Sequence, residues 1–382
     1  MKKAILTLLL LIPLVACDNQ ATESVTSSNN PINIVNLKAT PQGHFSEAQL
    51  KYLTSEDYTD TTPYNGNMSV SNPLPVNITW ESEATGPFTI EISEKEKNTK
   101  ITYTSETNSF DFYNPFFNSE YEAVVYKDVS MVERVSFKEE IKIPGPRNLK
   151  IDGVENFRDI GGWGYLDNNQ YKPYMKQGMV YRSGRFNEDK ANPVNVTISE
   201  SGIYEALHNL HIRTEIDLRR TSTNEVGSLS DKSVLGEDIN YYQYPMAYGG
   251  NNILTFKGKL SGDDYEYDNP SMIKNVMLLF GDINNYPIVF HCSIGKDRTG
   301  CIAYLLEGLL GFSQETMYRD YMFTNFADAG MCKMTDITSR YGKTLDEYAN
   351  GDTLQQKVFN YLKDEIGVPE ECLNNIINNL KA

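Results

Sequence analysis

The sequence predicts an α/β domain with a central, mostly parallel sheet flanked by helices, preceded by an all-β sandwich. Three observations carry this. Between residues 71 and 143, apolar side chains recur at every second position in short runs separated by Asn, Gly and Pro, as half-buried strands require. From residue 150 onward, short apolar runs alternate with segments of helical spacing, the pattern of a sheet crossed by helices. The two patterns meet at Pro144-Gly145-Pro146, a stiff, non-helical break.

The 382 residues suffice for two or three domains, and 23% charged with 40% hydrophobic residues is an ordinary soluble composition. A net charge of −16 argues against a nucleic-acid partner. Any anion site must therefore be made locally, from a few cations and N–H dipoles within an acidic surface. Met1-Lys2-Lys3 followed by apolar Ala4 to Val15 is too short to span a bilayer and reads as a signal peptide over residues 1–16. Its end, Leu14-Val15-Ala16-Cys17, resembles the bacterial lipoprotein lipobox. That resemblance implies lipidation at Cys17 and an exported protein anchored to the outer face of a bacterial membrane; an ordinary secretory signal with an incidental cysteine is the alternative. Residues 17–36, rich in Ser, Thr and Asn, read as a flexible tether.

The sandwich is expected over residues 37–143. Its first residues, to about 70, are polar with scattered tyrosines and carry no clear pattern. Strands then follow at Val76/Ile78/Trp80, Phe88/Ile90/Ile92, Ile101/Tyr103, Phe110/Phe112, Tyr121/Ala123/Val125 and Val135/Phe137. Trp80 on an early strand and Tyr121-x-Ala123-x-Val125 on a later one resemble fibronectin type III modules. Both aromatics read as core, and nothing names a partner for this domain. Residues 144–149 read as a linker, and 150–382 as the α/β domain.

The chemistry concentrates in His291-Cys292-Ser293-Ile294-Gly295-Lys296-Asp297-Arg298-Thr299-Gly300. The apolar run Pro287 to Phe290 precedes it as a buried strand, and Cys301 to Leu310 follows as a helix ending near Gly311. A strand, a glycine-bearing loop and a helix N-terminus cradle a tetrahedral oxyanion with inward N–H groups and a favourable dipole. A thiol there beside Arg298 is set to ionise and attack phosphorus. The guanidinium fork matches two phosphate oxygens.

The ten-residue string resembles the phosphate-binding loop of cysteine-dependent protein tyrosine phosphatases. More narrowly, it is similar to the bacterial secreted tyrosine and phosphoinositide phosphatases, whose loop reads Gly-Lys-Asp-Arg-Thr-Gly. The resemblance covers roughly residues 150 to 380. It implies a phosphocysteine route on a phosphorylated protein or phosphoinositide, without cofactor or metal. Cys292 would be the nucleophile. Arg298 would bind phosphate with the backbone of Ser293, Ile294, Gly295, Lys296, Thr299 and Gly300. Asp297 would be the acid and then the base, since no Trp-Pro-Asp loop is present; a salt bridge or cap holding the loop is its other reading. Lys296 would take a second phosphate or remain solvated, and Thr299 would donate to the sulfur or cap the helix.

Supporting residues come from the same resemblance. His291 would stabilise the thiolate. Asn156-Phe157-Arg158-Asp159-Ile160-Gly161-Gly162 also matches the family, so Arg158 and Asp159 either brace the loop or form a turn. Arg182 is expected near the site, in Val180-Tyr181-Arg182-Ser183-Gly184-Arg185. Asp217-Leu218-Arg219 and Asp320-Tyr321-x-x-Thr324-Asn325 match too, the former as structural ion pairs. Residues 247–269 read as a lid or a disordered loop. Thr353-x-x-Gln356 is a capping box, and Pro369 opens a last helix. The rival reading is a surface lipoprotein that only holds a phosphorylated ligand.

Overall fold

A computed structural model of the chain describes residues 33–64, 72–97, 99–128, 131–187, 197–220, 232–248, 252–327 and 332–382. The expected signal peptide, Cys17 and most of the tether lie outside the described residues. No described helix is long and apolar enough to cross a membrane.

The N-terminal region holds two antiparallel sheets. One runs β1 (Val35–Pro41), β2 (Val76–Glu81), β5 (Ser109–Phe112). The other runs β4 (Thr99–Ser105), β3 (Phe88–Glu94), β6 (Glu120–Tyr126), β7 (Val132–Lys138). The alternating residues Val76, Ile78, Trp80, Phe88, Ile90, Ile92, Tyr121, Ala123 and Val125 share one apolar cluster, because period two puts each strand's set on one face of its sheet. Ile34 is buried in the same cluster and β1 begins at Val35. The last residues of the expected tether are thus part of this domain.

The segment between β1 and β2 goes elsewhere. Ser46 and Gln49 close a capping box on α1 (Glu47–Leu53), and Phe45, Tyr52 and Leu53 pack into the core of the C-terminal domain. Arg319 there donates to the carbonyls of Tyr52 at 3.0 Å and Ser55 at 2.7 Å. Residues 45–55 therefore correct the simple division at 143. The expected linker is also structural: Arg147 is fully buried, and β8 (Arg147–Asn148) is the edge strand of the six-stranded sheet of the C-terminal domain.

That sheet runs β14 (Asn240–Gln243), β13 (Thr214–Asp217), β17 (Ile288–His291), β12 (Val180–Ser183), β9 (Arg158–Asp159), β8. The first four strands are parallel, and β9 and β8 turn antiparallel. His291 stands opposite Asp217 on one side and Ser183 on the other, so these strands end together. Around the sheet lie α2 (Glu200–His208), α3 (Asn269–Phe280), α4 (Asp297–Leu309), α5 (Gln314–Phe323), α8 (Leu354–Asn360) and α9 (Glu370–Leu380). Short helices α6 (Met334–Ile337) and α7 (Lys343–Tyr348) flank a π-helical turn over Thr338–Gly342. Two hairpins complete the described strands, β10 (Gly164–Asp167) with β11 (Gln170–Pro173), and β15 (Lys257–Lys259) with β16 (Glu266–Asp268).

Helix α4 starts at Asp297, inside the motif, and is buried on every side from Arg298 to Leu309. One further expectation is corrected. The described part of residues 247–269 is anchored, with Ile253 and Leu254 buried. The buried Asn269 amide ties Ala247 and Ile253 together through three bonds of 2.7–3.1 Å.

Candidate active site

The loop from Cys292 to Lys296 leaves the carboxyl end of β17 and enters α4, where open α/β sheets place their ligands. Cys292 is 1% exposed. What shapes the loop is a set of donors holding its carbonyls outward. The backbone N–H of Arg185 and its Nη1 donate to Ser293 O at 3.1 and 3.2 Å. Asn156 Nδ2 donates to the carbonyls of Ile294 at 3.0 Å and Gly295 at 3.2 Å, and Arg182 Nη2 donates to Gly295 at 2.9 Å. A trans peptide points its N–H opposite its C=O. The N–H groups of Ile294, Gly295 and Lys296 therefore face away from these clamps, as an anion nest requires. Gly295 is obligatory: its φ is +72°, and a Cβ would lie 2.6 Å from Asn156 Nδ2.

The clamps are themselves fixed by one buried carboxylate. Asp320 on α5 accepts Arg158 Nε at 2.7 Å and Trp163 Nε1 at 2.9 Å, and pairs with Arg182 Nη1. Arg158 Nη1 in turn holds Asn156 Oδ1. Burial alone would raise the Asp320 carboxyl, but the two guanidiniums overcome this and hold it well below the usual range. Nearby Glu307 is pushed well above its usual value, first by burial and then by Asp320.

His291 is fully buried under the loop. Its Nε2–H donates to Glu215 at 2.9 Å, and Nδ1 lies 3.3 Å from Cys292 O. Asp217 sits 3.9 Å from Nδ1 and is engaged by Arg219 at 2.6 Å. Arg298 is 4% exposed, and its Nη1 donates to Leu218 O at 3.3 Å. Its guanidinium faces the Tyr248 ring, 5.2 Å from the centroid.

Asp297 opens α4 and pairs with Arg340 of the π-helical turn, while Tyr341 Oη donates to its carbonyl at 2.8 Å. Lys296 reaches Asp336 at 3.6 Å, and Asp336 also meets Arg340 at 3.6 Å. Thr299 Oγ1 is buried without a hydrogen-bond partner, so no bond from it to the Cys292 sulfur is formed. Asp159 serves another site. It accepts Arg147 Nε at 3.0 Å and the N–H groups of Gly161 and Gly178 at 2.8 and 2.7 Å, which makes it a turn and ion-pair residue rather than a brace of the loop. Among described residues Cys292, Cys301, Cys332 and Cys372 form no disulfide. Burial pushes the Cys301 thiol far up and that of Cys332 up to about 12.

Arg340, Asp336, Asn156, Glu215 and Arg185 complete the surroundings and were not singled out for these roles from sequence. Asn156 was within reach, because it opens the Asn-Phe-Arg-Asp segment. Arg340 was not, because residues 332–348 carry no motif.

With that geometry in place, residues 149–382 match the Tyrosine phosphatase family. The chain belongs to this family. A protein of Cupriavidus necator, named provisionally as a tyrosine-protein phosphatase, is 23% identical to this tyrosine phosphatase family member over 204 residues. The match covers 49% of this chain and 66% of the relative, just under two thirds of its length. The core catalytic domain of the S. cerevisiae PP-IP phosphatase SIW14, in complex with citrate, is 14% identical with a TM-score of 0.27, covering 50% of this chain and 88% of that one. A second Siw14 catalytic core is 16% identical with a TM-score of 0.29, covering 50% of this chain and 87% of that one. Membership rests on the family match over residues 149–382.

Proposed function

We propose that this protein hydrolyses phosphomonoesters through a phosphocysteine at Cys292. The observation that carries the reading is the outward clamping of the loop carbonyls by Asn156, Arg182 and Arg185, which leaves successive N–H groups around a buried cysteine. The Cys292 thiolate attacks phosphorus and the ester P–O bond breaks. Arg298 and the loop N–H groups take the charge that builds on the equatorial oxygens, where preorganised donors act most strongly. Asp297 protonates the leaving oxygen, then takes a proton from the water that cleaves the S–P bond. Arg340 pairs with the Oδ1 of this same carboxylate, so the pair and the proton transfer bear on one group.

Phosphotyrosine, phosphoserine/threonine and phosphoinositides are the substrate classes proposed. We place the protein outside the cytoplasm, tethered through a lipid on Cys17. We also read the N-terminal sheets as a sandwich of fibronectin III type. The strand orders β1-β2-β5 and β4-β3-β6-β7 support this. So does Tyr121 at the start of β6, whose Oη accepts the Phe116 N–H at 2.8 Å in the manner of a tyrosine corner.

The test is phosphate release from a small aryl phosphate with chelator present, comparing wild type, Cys292→Ser and Asp297→Asn across acidic to neutral pH. Metal-independent turnover that disappears in Cys292→Ser is expected. A folded wild type without turnover moves the assignment to a phospho-ligand-binding lipoprotein.

A further inference from the structure

Helices α4 and α5, the π-helical turn, α7 and the start of α8 surround a cavity of about 440 Å³. That volume falls within the roughly 300–1,000 Å³ of small-molecule sites. Tyr304 in its wall stands on α4 well past Asp297, about two turns or 10 Å of axial rise further on. The cavity is therefore separate from the Cys292 cradle.

Two phenols converge in it. A Cβ on Gly342 would lie 3.9 Å from Tyr304 Oη and 4.0 Å from Tyr318 Oη. Both hydroxyls thus face a point that any larger residue at 342 would fill. Tyr304 is 2% exposed, and its hydroxyl is buried without a hydrogen-bond partner. Such a group carries the cost of desolvation with nothing to offset it. Burial also pushes this phenol up, which keeps it a donor. Tyr318 Oη accepts Gln314 Nε2 at 2.9 Å, which leaves its own O–H to give.

The charges around the phenols select the ligand. Lys357 of the lining pairs with Asp346 at 2.5 Å, and Lys343 meets Glu347 at 3.5 Å. Both cations are thus already matched, and Asp352 adds a further carboxylate to the lining. An anion would meet Asp346 and Asp352. An apolar molecule would leave the Tyr304 hydroxyl unpaired. Hydroxyl groups both accept from phenols and donate to carboxylates, so a ring carrying several of them satisfies the whole lining.

We infer that this cavity binds a neutral polyhydroxylated ring, a sugar that is either free or at the end of a glycan. One ligand hydroxyl sits against Gly342, between Tyr304 and Tyr318. Asp346 and Asp352 accept further ligand O–H groups.

In the experiment the full chain is titrated with glucose, galactose, mannose and glucuronate, followed by ligand-observed NMR. Maltose and lactose, which carry glucose and galactose at a chain end, separate the two sources: equal binding marks a glycan terminus, and exclusion marks a free sugar. Saturable binding of at least one neutral sugar is expected, with glucuronate weaker. Tyr304→Phe should weaken it about tenfold. The melting temperature should stay unchanged or rise in that variant, because the lost hydroxyl has no partner in the unliganded protein. A merely structural hydroxyl would give the reverse pattern. Gly342→Ala, in helical backbone at φ −58° and ψ −49°, should keep stability and lose binding, since its methyl takes the ligand's place. Cys292→Ser should bind as the wild type does, which keeps the result independent of any turnover. Four results would each overturn the site: no saturable neutral sugar with folded wild type, glucuronate tighter than every neutral sugar, equal affinity in Tyr304→Phe or Gly342→Ala, or binding lost in Cys292→Ser.

Discussion

The two walls of the Cys292 loop are built on opposite principles. The inner wall is a lattice with a fully buried hub, in which Asp320 fixes Arg158 and Arg182, and these with the half-buried Asn156 fix backbone carbonyls of the loop. The outer wall is partly exposed. Arg340 and Asp297 keep 17% and 19% of their side-chain surfaces open, and Lys296 and Asp336 keep 14% and 21%. A buried ion network cannot lose one member without stranding another charge, whereas a half-wet one exchanges partners with water cheaply. The inner wall therefore sets the positions of the N–H donors, and the outer wall is where a carboxylate can change partners during a reaction cycle.

The largest expected effect comes from breaking the inner wall at its hub. Asp320→Asn strands two buried guanidiniums and should cost about 3–5 kcal/mol in urea unfolding; a loss below about 1 kcal/mol would make the walls equivalent. The same carboxylate predicts a pH dependence. Its folded pKa is depressed, so its contribution is complete above the unfolded value, about 3.9, and is lost as pH falls below that. Stability of the wild type should drop on acidification through this range, and Asp320→Asn should show a shallower drop. An unchanged acid limb would contradict it.

Next in size is Asn156→Ala, which frees the carbonyls of Ile294 and Gly295. About 1–3 kcal/mol of stability and a larger share of kcat should go together, because the N–H groups lose their aim. Arg340→Gln tests the outer wall. It should cost about 1 kcal/mol or less in stability, yet change kcat, since Asp297 loses its partner. A large stability loss with an unchanged kcat would assign Arg340 to the scaffold. The smallest effect is Asp336→Asn, within about 0.5 kcal/mol by thermal melting.

The same division explains what the sequence discloses. Cys292, Arg298 and the strand–loop–helix setting are contiguous and local, so spacing and residue type suffice to read them. The strands of the N-terminal region are legible for the same reason, since Val76, Ile78 and Trp80 alternate in plain view. Partners far apart in the chain are not legible. Arg158 and Asp320 both stand in recognisable segments, yet their pairing spans 162 residues and only the fold joins them. Asp159 misleads because its neighbour Arg158 does support the loop; antiparallel pairing of β9 with β8 turns the next side chain towards Arg147. The π-helical turn that carries Arg340 has no apolar period to announce it. Residues 44–64 look patternless because Phe45, Tyr52 and Leu53 serve the core of another domain.

The most direct test of the account is to quench the wild type and the Asp297→Asn variant during turnover of an aryl phosphate, and to search the Cys292 peptide by mass spectrometry. A phosphoryl group on the Cys292 sulfur, more abundant in Asp297→Asn and absent from Cys292→Ser, is the predicted result. Steady turnover with no adduct on Cys292 in either protein, and undiminished hydrolysis by Cys292→Ser, would contradict it.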